Sequence, residues 1–126
     1  MRIKVTSVRR KSNLKSSLSN AETMHKTKAR VDGIGARGLS QLISATPKRS
    51  GSTASSWDME VEKTQNGLNL YYSNSKKVSD GTPLVVLIVN GHGTGTGGYV
   101  PANNFVGPIV DDIAKEVMRE VEKIVE

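Results

Sequence analysis

The feature that most constrains the fold of this chain is a glycine-rich stretch at residues 90–105. Five glycines lie within eight positions, and glycine reaches backbone angles that other residues cannot adopt. The chain can therefore turn tightly here or lie close against another surface. A free loop of this composition would be floppy, so we expect Tyr99, Pro101 and Phe105, which follow directly, to anchor its far end.

Length and composition indicate one domain, residues 1–126, with a modest core. Apolar residues make up only 36% of the chain, with one tryptophan, three tyrosines and one phenylalanine. We therefore expect the isolated subunit to be marginally stable and to be stabilised by association with other copies of the chain. The absence of cysteine excludes disulfides, thiolate metal sites and cysteine nucleophiles, and it fits a reducing compartment. The longest apolar run, residues 84–89, is too short to span a membrane, and we expect a soluble protein.

Positive charge is concentrated in the first half of the sequence. Residues 1–50 carry twelve Lys or Arg against two acidic residues, a net charge of +10, whereas residues 51–126 carry six against ten, a net charge of −4. This asymmetry indicates either a nucleic-acid-binding arm or a basic half that docks on the acidic half of a neighbouring copy. We favour the neighbour, because no aromatic residue lies among the first fifty to stack on bases. The basic residues concerned are Arg9, Arg10, Lys11 and Lys15.

The first half of the chain reads as mostly helical. Alternating apolar and polar residues favour either a short strand or a mobile arm over residues 1–11. Apolar residues then recur at helical spacing over residues 12–31, which predicts an amphipathic helix. Three glycines in residues 32–38 are expected to break or bend this helix, because each costs about 1 kcal/mol relative to alanine. The helical period resumes until Pro47, which ends it.

The middle of the chain predicts a β-hairpin. Residues 57–62 alternate apolar and acidic side chains, as in a strand with one buried face. The Asn-Gly pair at 66–67 is a strong signal for a two-residue turn. A turn at those two residues pairs Val61 with Tyr72 and places both on the same face as Trp57, which we expect to be buried.

The last third of the chain predicts a loop, an ambiguous apolar run and a helix. Residues 73–82 are polar and read as a loop. The apolar run 84–89 fits either a buried strand or a buried helical turn. Residues 107–125 begin with Gly-Pro and have one apolar face, which predicts a C-terminal helix. We therefore predict an α+β fold, with N- and C-terminal helices packed on a small antiparallel sheet that contains a central hairpin and extended loops.

Motifs for chemistry are weak throughout. Gly93, Gly95 and Gly98 match the dinucleotide-binding spacing, but the Tyr-Val-Pro that follows excludes a helix starting among the glycines. His92 has no Cys, Asp or Glu at metal-ligand spacing. Ser50 and the distant His92 do not form the constellation of a serine hydrolase. We expect no catalytic residue, no cofactor and no metal.

Short motifs follow one another along nearly the whole chain. They are a basic N-terminal helix, a Pro-x-x-Ser-Gly turn at 47–51, a hairpin ending in Tyr71-Tyr72, an apolar run closing on Asn-Gly-His-Gly-Thr at 90–94, then Tyr-Val-Pro-Ala at 99–102 and Phe105 before the last helix. This order resembles the bacteriophage tail-component family of neck proteins, also called tail-completion or head-tail joining proteins. Ser50 stands where the family often has threonine, and Asn90-Gly91-His92 stands where many members have an acidic residue before Gly-Thr. The motifs do not separate completion, terminator and head-closure proteins.

The resemblance implies a structural virion protein without enzymatic activity. Such proteins form a ring of identical subunits, six- or twelve-fold, between the head connector and the tail tube, and they contact head-closure or adaptor proteins and the tail tube or terminator. It further implies assembly in the host bacterial cytoplasm, a place in the virion neck with genomic DNA passing through the lumen, and no contact with a membrane. The alternative function is a basic nucleic-acid-binding module. The residues expected at a subunit or partner interface are Gly91, His92, Gly93, Thr94, Gly95, Gly97, Gly98, Tyr99, Pro101 and Phe105.

Overall fold

A computed structural model describes residues 1–9, 21–47, 51–65 and 67–125 and confirms the predicted α+β class. The sequence allowed a short strand or a mobile arm at the N-terminus, and residues 2–9 form a strand. Residues 12–20 of the predicted first helix lie outside the described residues. The elements in chain order are β1 (Arg2–Arg9), α1 (Ala21–Ala45), the short α2 (Gly51–Ala54), β2 (Trp57–Thr64), β3 (Gly67–Asn74), α3 (Leu84–Asn90), β4 (His92–Gly93), β5 (Tyr99–Val100) and α4 (Val106–Val125).

A three-stranded antiparallel sheet in the order β1-β3-β2 forms the centre of the fold. The hairpin of β2 and β3 is confirmed, but the predicted register is wrong by two residues, because Met59 rather than Val61 lies opposite Tyr72. Thr64 pairs with Gly67, and Asn66 of the predicted turn lies outside the described residues. A shift of two residues keeps every side chain on its predicted face.

The register is set by β1, which pairs with the other side of β3. Gly67 lies against this strand so closely that a Cβ atom built on it would be 1.8 Å from the Val8 carbonyl oxygen. Gly67 is therefore needed as a strand residue at a crowded contact. Gly67 therefore does not take part in the two-residue turn that the Asn-Gly pair at 66–67 predicted.

Helix α1 is continuous through its three glycines, so the predicted break is wrong. Gly35 and Gly38 face the sheet, and a Cβ atom on Gly38 would lie 2.2 Å from the Tyr72 hydroxyl and 2.7 Å from Ile113. The missing side chains let the helix backbone approach the sheet. Tyr72 then donates a hydrogen bond of 2.7 Å to the Gly35 carbonyl. Packing and this hydrogen bond offset the low helix propensity of glycine.

The core lies between the inner face of the sheet and the two long helices. Trp57 is buried as predicted, with 6% of its surface exposed, and its indole N–H donates to the Thr46 hydroxyl at 2.9 Å. Helix α4 presents the predicted apolar face, and it is tied to α1 by ion pairs that include Arg30 with Glu120 at 2.8 Å. The buried apolar residues are Val5, Val8, Val31, Ile34, Leu42, Trp57, Leu68, Leu70, Tyr72, Val85, Val106, Ile113, Val117 and Val121.

Candidate interaction surface

The apolar run at 84–89, for which the sequence allowed a strand or a helical turn, is helical and forms most of α3. A helix that is apolar on all sides normally lies inside a core. In α3, however, Val85 is the one fully buried residue. The helix therefore presents a partly covered apolar surface, made of Leu84, Val86, Leu87, Ile88 and Val89.

The glycine-rich stretch continues directly from this helix as a small antiparallel ribbon. His92 pairs with Val100 and Gly93 pairs with Tyr99. Every residue from 93 to 104 is exposed. The stretch is thus an ordered ribbon open to solvent, and we call it, together with α3, the α3-ribbon surface.

The tip of the ribbon is closed by Thr94. Its backbone N–H donates to the Gly98 carbonyl at 3.0 Å, and its hydroxyl accepts from the Gly98 N–H at 3.1 Å. Gly95 and Gly97 have φ angles of +82° and +91°, which residues with a side chain rarely adopt. The glycines of the tip are therefore required by its backbone geometry.

The base of the ribbon is fixed to the helices on either side. The Asn103 N–H donates to the Ile88 carbonyl at 2.9 Å, and the Asn104 side-chain oxygen accepts from the Gly107 N–H in the first turn of α4 at 3.0 Å. The His92 ring nitrogen Nδ1 lies 3.3 Å from the Leu87 carbonyl oxygen. These bonds hold the ribbon in one orientation relative to α3.

The two aromatic residues expected as anchors have different environments. Phe105 packs on the core, edge-to-face with Trp57 at a centroid distance of 6.5 Å. Tyr99 is 66% exposed and Val100 is 40% exposed, although the Tyr99 hydroxyl lies against Gly91. Phe105 therefore anchors the loop inside its own subunit, whereas the Tyr99 ring is exposed to solvent.

Arg9, which is the described member of the four basic residues singled out in the sequence, does not lie at this surface. An apolar groove of about 250 Å³ beside α3 is lined by Met1 and Ile3 from the start of β1. Arg9 is exposed at the other end of this strand, and seven residues of extended chain span roughly 23 Å. Arg10, Lys11 and Lys15 lie outside the described residues.

Sequence reasoning missed the contribution of α3, because it treated the apolar run as buried. The available signal was that six consecutive apolar residues provide no polar face for solvent if they form a helix. In a chain with few large apolar residues, such a helix is either covered completely or left as a contact surface.

The pKa shifts in the described residues fall outside the α3-ribbon surface. Burial raises the pKa of Tyr72 to about 12 in the core. Hydrogen bonds from Thr82 lower the pKa of Asp80 in the loop after β3, and a hydrogen bond from Lys123 lowers that of Glu120 on α4. Within the described ranges, no group of three His, Cys, Asp or Glu side chains could hold a metal ion, and no helix is long and apolar enough to cross a bilayer.

Comparison of the chain with known protein families, characterised proteins and solved structures finds no match.

Proposed function

We propose that this protein is a structural virion protein of a tailed bacteriophage that forms a ring at the head-tail neck and joins or completes the tail on the DNA-filled head. The observation that carries the proposal is the α3-ribbon surface. It combines an apolar helix with one buried residue and a glycine ribbon that exposes Tyr99. The motifs that resemble neck proteins include the sequence of this surface, residues 90–94 and 99–102.

The physical properties of the surface suit contact with another protein. Covering apolar area is favourable by roughly 25 cal/mol per Å², and exposed aromatic residues that enter desolvated pockets dominate interface energies. The ribbon glycines let another backbone approach closely, while the tip hydrogen bonds of Thr94 limit the entropy lost on binding. The surface holds no charged side chain in residues 84–105, which favours an apolar contact.

The test is complementation of a phage that lacks this protein, with joined and separated particles counted by electron microscopy. Tyr99→Ala removes the exposed ring, and Gly95→Val and Gly97→Val oppose the positive φ angles of the tip. We expect each to leave separate heads and tails, since truncating an interface anchor commonly costs about 2 kcal/mol or more. Phe105→Ala should also block joining, but through the core contact with Trp57, so its folded fraction is measured by circular dichroism.

A matched pair of substitutions separates the surface from a general effect of added charge. Val100 on the ribbon and Ile43 on α1 are exposed to the same extent, 40% and 41%. Val100→Asp should block joining, and Ile43→Asp should not. Normal numbers of infectious virions from all the ribbon variants would overturn the assignment, and a purified monomer or dimer with salt-sensitive DNA affinity would instead support the nucleic-acid-binding alternative.

A further inference from the structure

The outer face of the three-stranded sheet has opposite charge at its two edges. The registers of β1 and β2 on β3 place Arg2 in line with Asp58, and Lys4 in line with Glu60, across the sheet. The charged outer-face residues of β1 are Arg2, Lys4 and Arg9, and those of β2 are Asp58, Glu60 and Glu62.

Both charged strands are edge strands with an open side. Each has eight residues, and in the described part of the chain neither makes a backbone hydrogen bond to any element other than β3. An edge strand presents a row of unpaired N–H and C=O groups that can pair with another strand. Within the described ranges, the sheet is therefore open on a basic side and on an acidic side.

Some of this charge is already used within the subunit. Arg2 crosses the sheet, stacks on the Tyr71 ring at 3.7 Å and forms an ion pair with Glu60. Among the described residues, Lys4, Arg9, Asp58 and Glu62 take part in no ion pair. Asp58 accepts a hydrogen bond from the Met59 backbone N–H, and Glu62 accepts one from the Asn69 side-chain amide, so all four residues lack an opposite charge in the described part of the subunit but two of them are hydrogen-bonded.

We infer that the partner is a second copy of this chain, with β1 of one subunit pairing along β2 of the next, so that the sheets of a ring become continuous. This inference rests on the proposed ring. It specifies that the acidic surface facing Arg9 is strand β2 of the next subunit. Because β1 and β2 both run antiparallel to β3, they are parallel to each other. If the ring axis runs along the strands, rotation from one subunit to the next does not change the strand direction. Strand β1 of one subunit therefore pairs in parallel with β2 of the next.

Charge also selects the head-to-tail arrangement. Pairing β1 with β1, or β2 with β2, would set like charges opposite each other, which destabilises a sheet. Pairing β1 with β2 sets unlike charges opposite each other. A contact between two different surfaces of the same subunit can repeat around an axis and close into a ring.

The experiment reverses the charges of one edge at a time and leaves the Arg2 to Glu60 pair intact. The first variant carries Lys4→Glu and Arg9→Glu, the second carries Asp58→Lys and Glu62→Lys, and the third carries all four. Full-length proteins are examined for rings by sedimentation and electron microscopy and are supplied to a phage lacking the protein. We expect each single-edge variant to lower ring yield and joined particles at least tenfold, and the third variant to restore both. Mixing the two single-edge variants should produce even-numbered rings.

The control variant carries Lys115→Glu and Arg119→Glu, two exposed cations on α4 whose reversal changes the net charge by the same amount as the first variant. It should form rings normally. Normal rings from both single-edge variants would overturn the edge pairing and leave the proposed ring intact. Failure of the third variant, with all four charges reversed, to restore assembly would have the same meaning. Loss of DNA affinity with normal rings in the first variant would assign the basic edge to DNA. Absence of rings and of complementation from the wild-type protein would instead overturn the proposed function and, with it, the edge pairing.

Discussion

Tyr72 connects the sheet to the helix above it through a single side chain. The residue is fully buried, and its hydroxyl donates to the carbonyl of Gly35, which is part of a helix whose backbone could not come this close if Gly38 carried a side chain. Burial disfavours the phenolate and raises the pKa of Tyr72 from 10.0 to about 12. The effect of this one residue on stability is therefore expected to depend on pH.

We predict a specific loss of stability in alkaline solution. Because the folded pKa is higher than the unfolded pKa, the contribution of Tyr72 is complete below pH 10 and is lost between pH 10 and pH 12. By pH 11 the free energy of unfolding should fall by roughly 1 kcal/mol from this residue alone. Urea unfolding at several pH values measures it. Tyr72→Phe should cost about 1 kcal/mol at neutral pH, because it removes the buried hydrogen bond to the Gly35 carbonyl, and should lack this part of the alkaline loss. The same alkaline loss in both proteins would assign it to other groups.

At the scale of elements, the glycines of α1 have different roles within one helix. Gly33 is exposed, and a Cβ atom there would meet nothing within 4 Å, whereas a Cβ atom on Gly38 would overlap the Tyr72 hydroxyl and Ile113. The first glycine only weakens the helix. The second permits the contact between the helix, the sheet and α4.

Two alanine substitutions should therefore have opposite effects. Gly33→Ala should stabilise the protein by roughly 0.5–1 kcal/mol through helix propensity. Gly38→Ala should destabilise it by roughly 1–3 kcal/mol, because the new methyl group must displace Tyr72 or Ile113 from a packed core. Chemical denaturation measures both, and equal effects of the two substitutions would contradict the close packing at Gly38.

The elements that the sequence predicted well are those fixed by local pattern. The apolar period of α4, the end of α1 before Pro47 and the existence of the hairpin follow from neighbouring residues. The hairpin register and the continuity of α1 do not, because they depend on β1 and Tyr72, which are distant in sequence. The same holds for the α3-ribbon surface. Its glycine turn was readable from sequence, but the exposure of α3 depends on which elements pack beside it.

At the scale of the whole molecule, the core is small and several surfaces are left open. Among the described residues, the sheet has two free edges of opposite charge, and α3 and the ribbon leave apolar side chains in contact with solvent. Exposed apolar surface and free edges are features that proteins normally cover. In the proposed ring, neighbouring subunits would cover these surfaces and add to the stability of each subunit.

The final prediction is that the thermal midpoint rises with protein concentration. If folded subunits associate and unfolded chains do not, mass action stabilises the folded state as concentration increases. Forming a six-membered ring joins six subunits through five association steps, so each subunit gains five sixths of the free energy of a tenfold concentration change. Each tenfold increase in protein concentration therefore raises the free energy of unfolding by about 1.1 kcal/mol per subunit. With an unfolding entropy of about 2.1 cal/mol/K per residue and 126 residues, the midpoint should rise by about 4 °C for each tenfold increase.

Calorimetry over a hundredfold range of concentration measures this rise, with scan rate varied to confirm equilibrium. The variant Lys4→Glu with Arg9→Glu should have a constant midpoint if edge pairing closes the ring. A constant midpoint in the wild-type protein would show that its folded state does not depend on association with other copies.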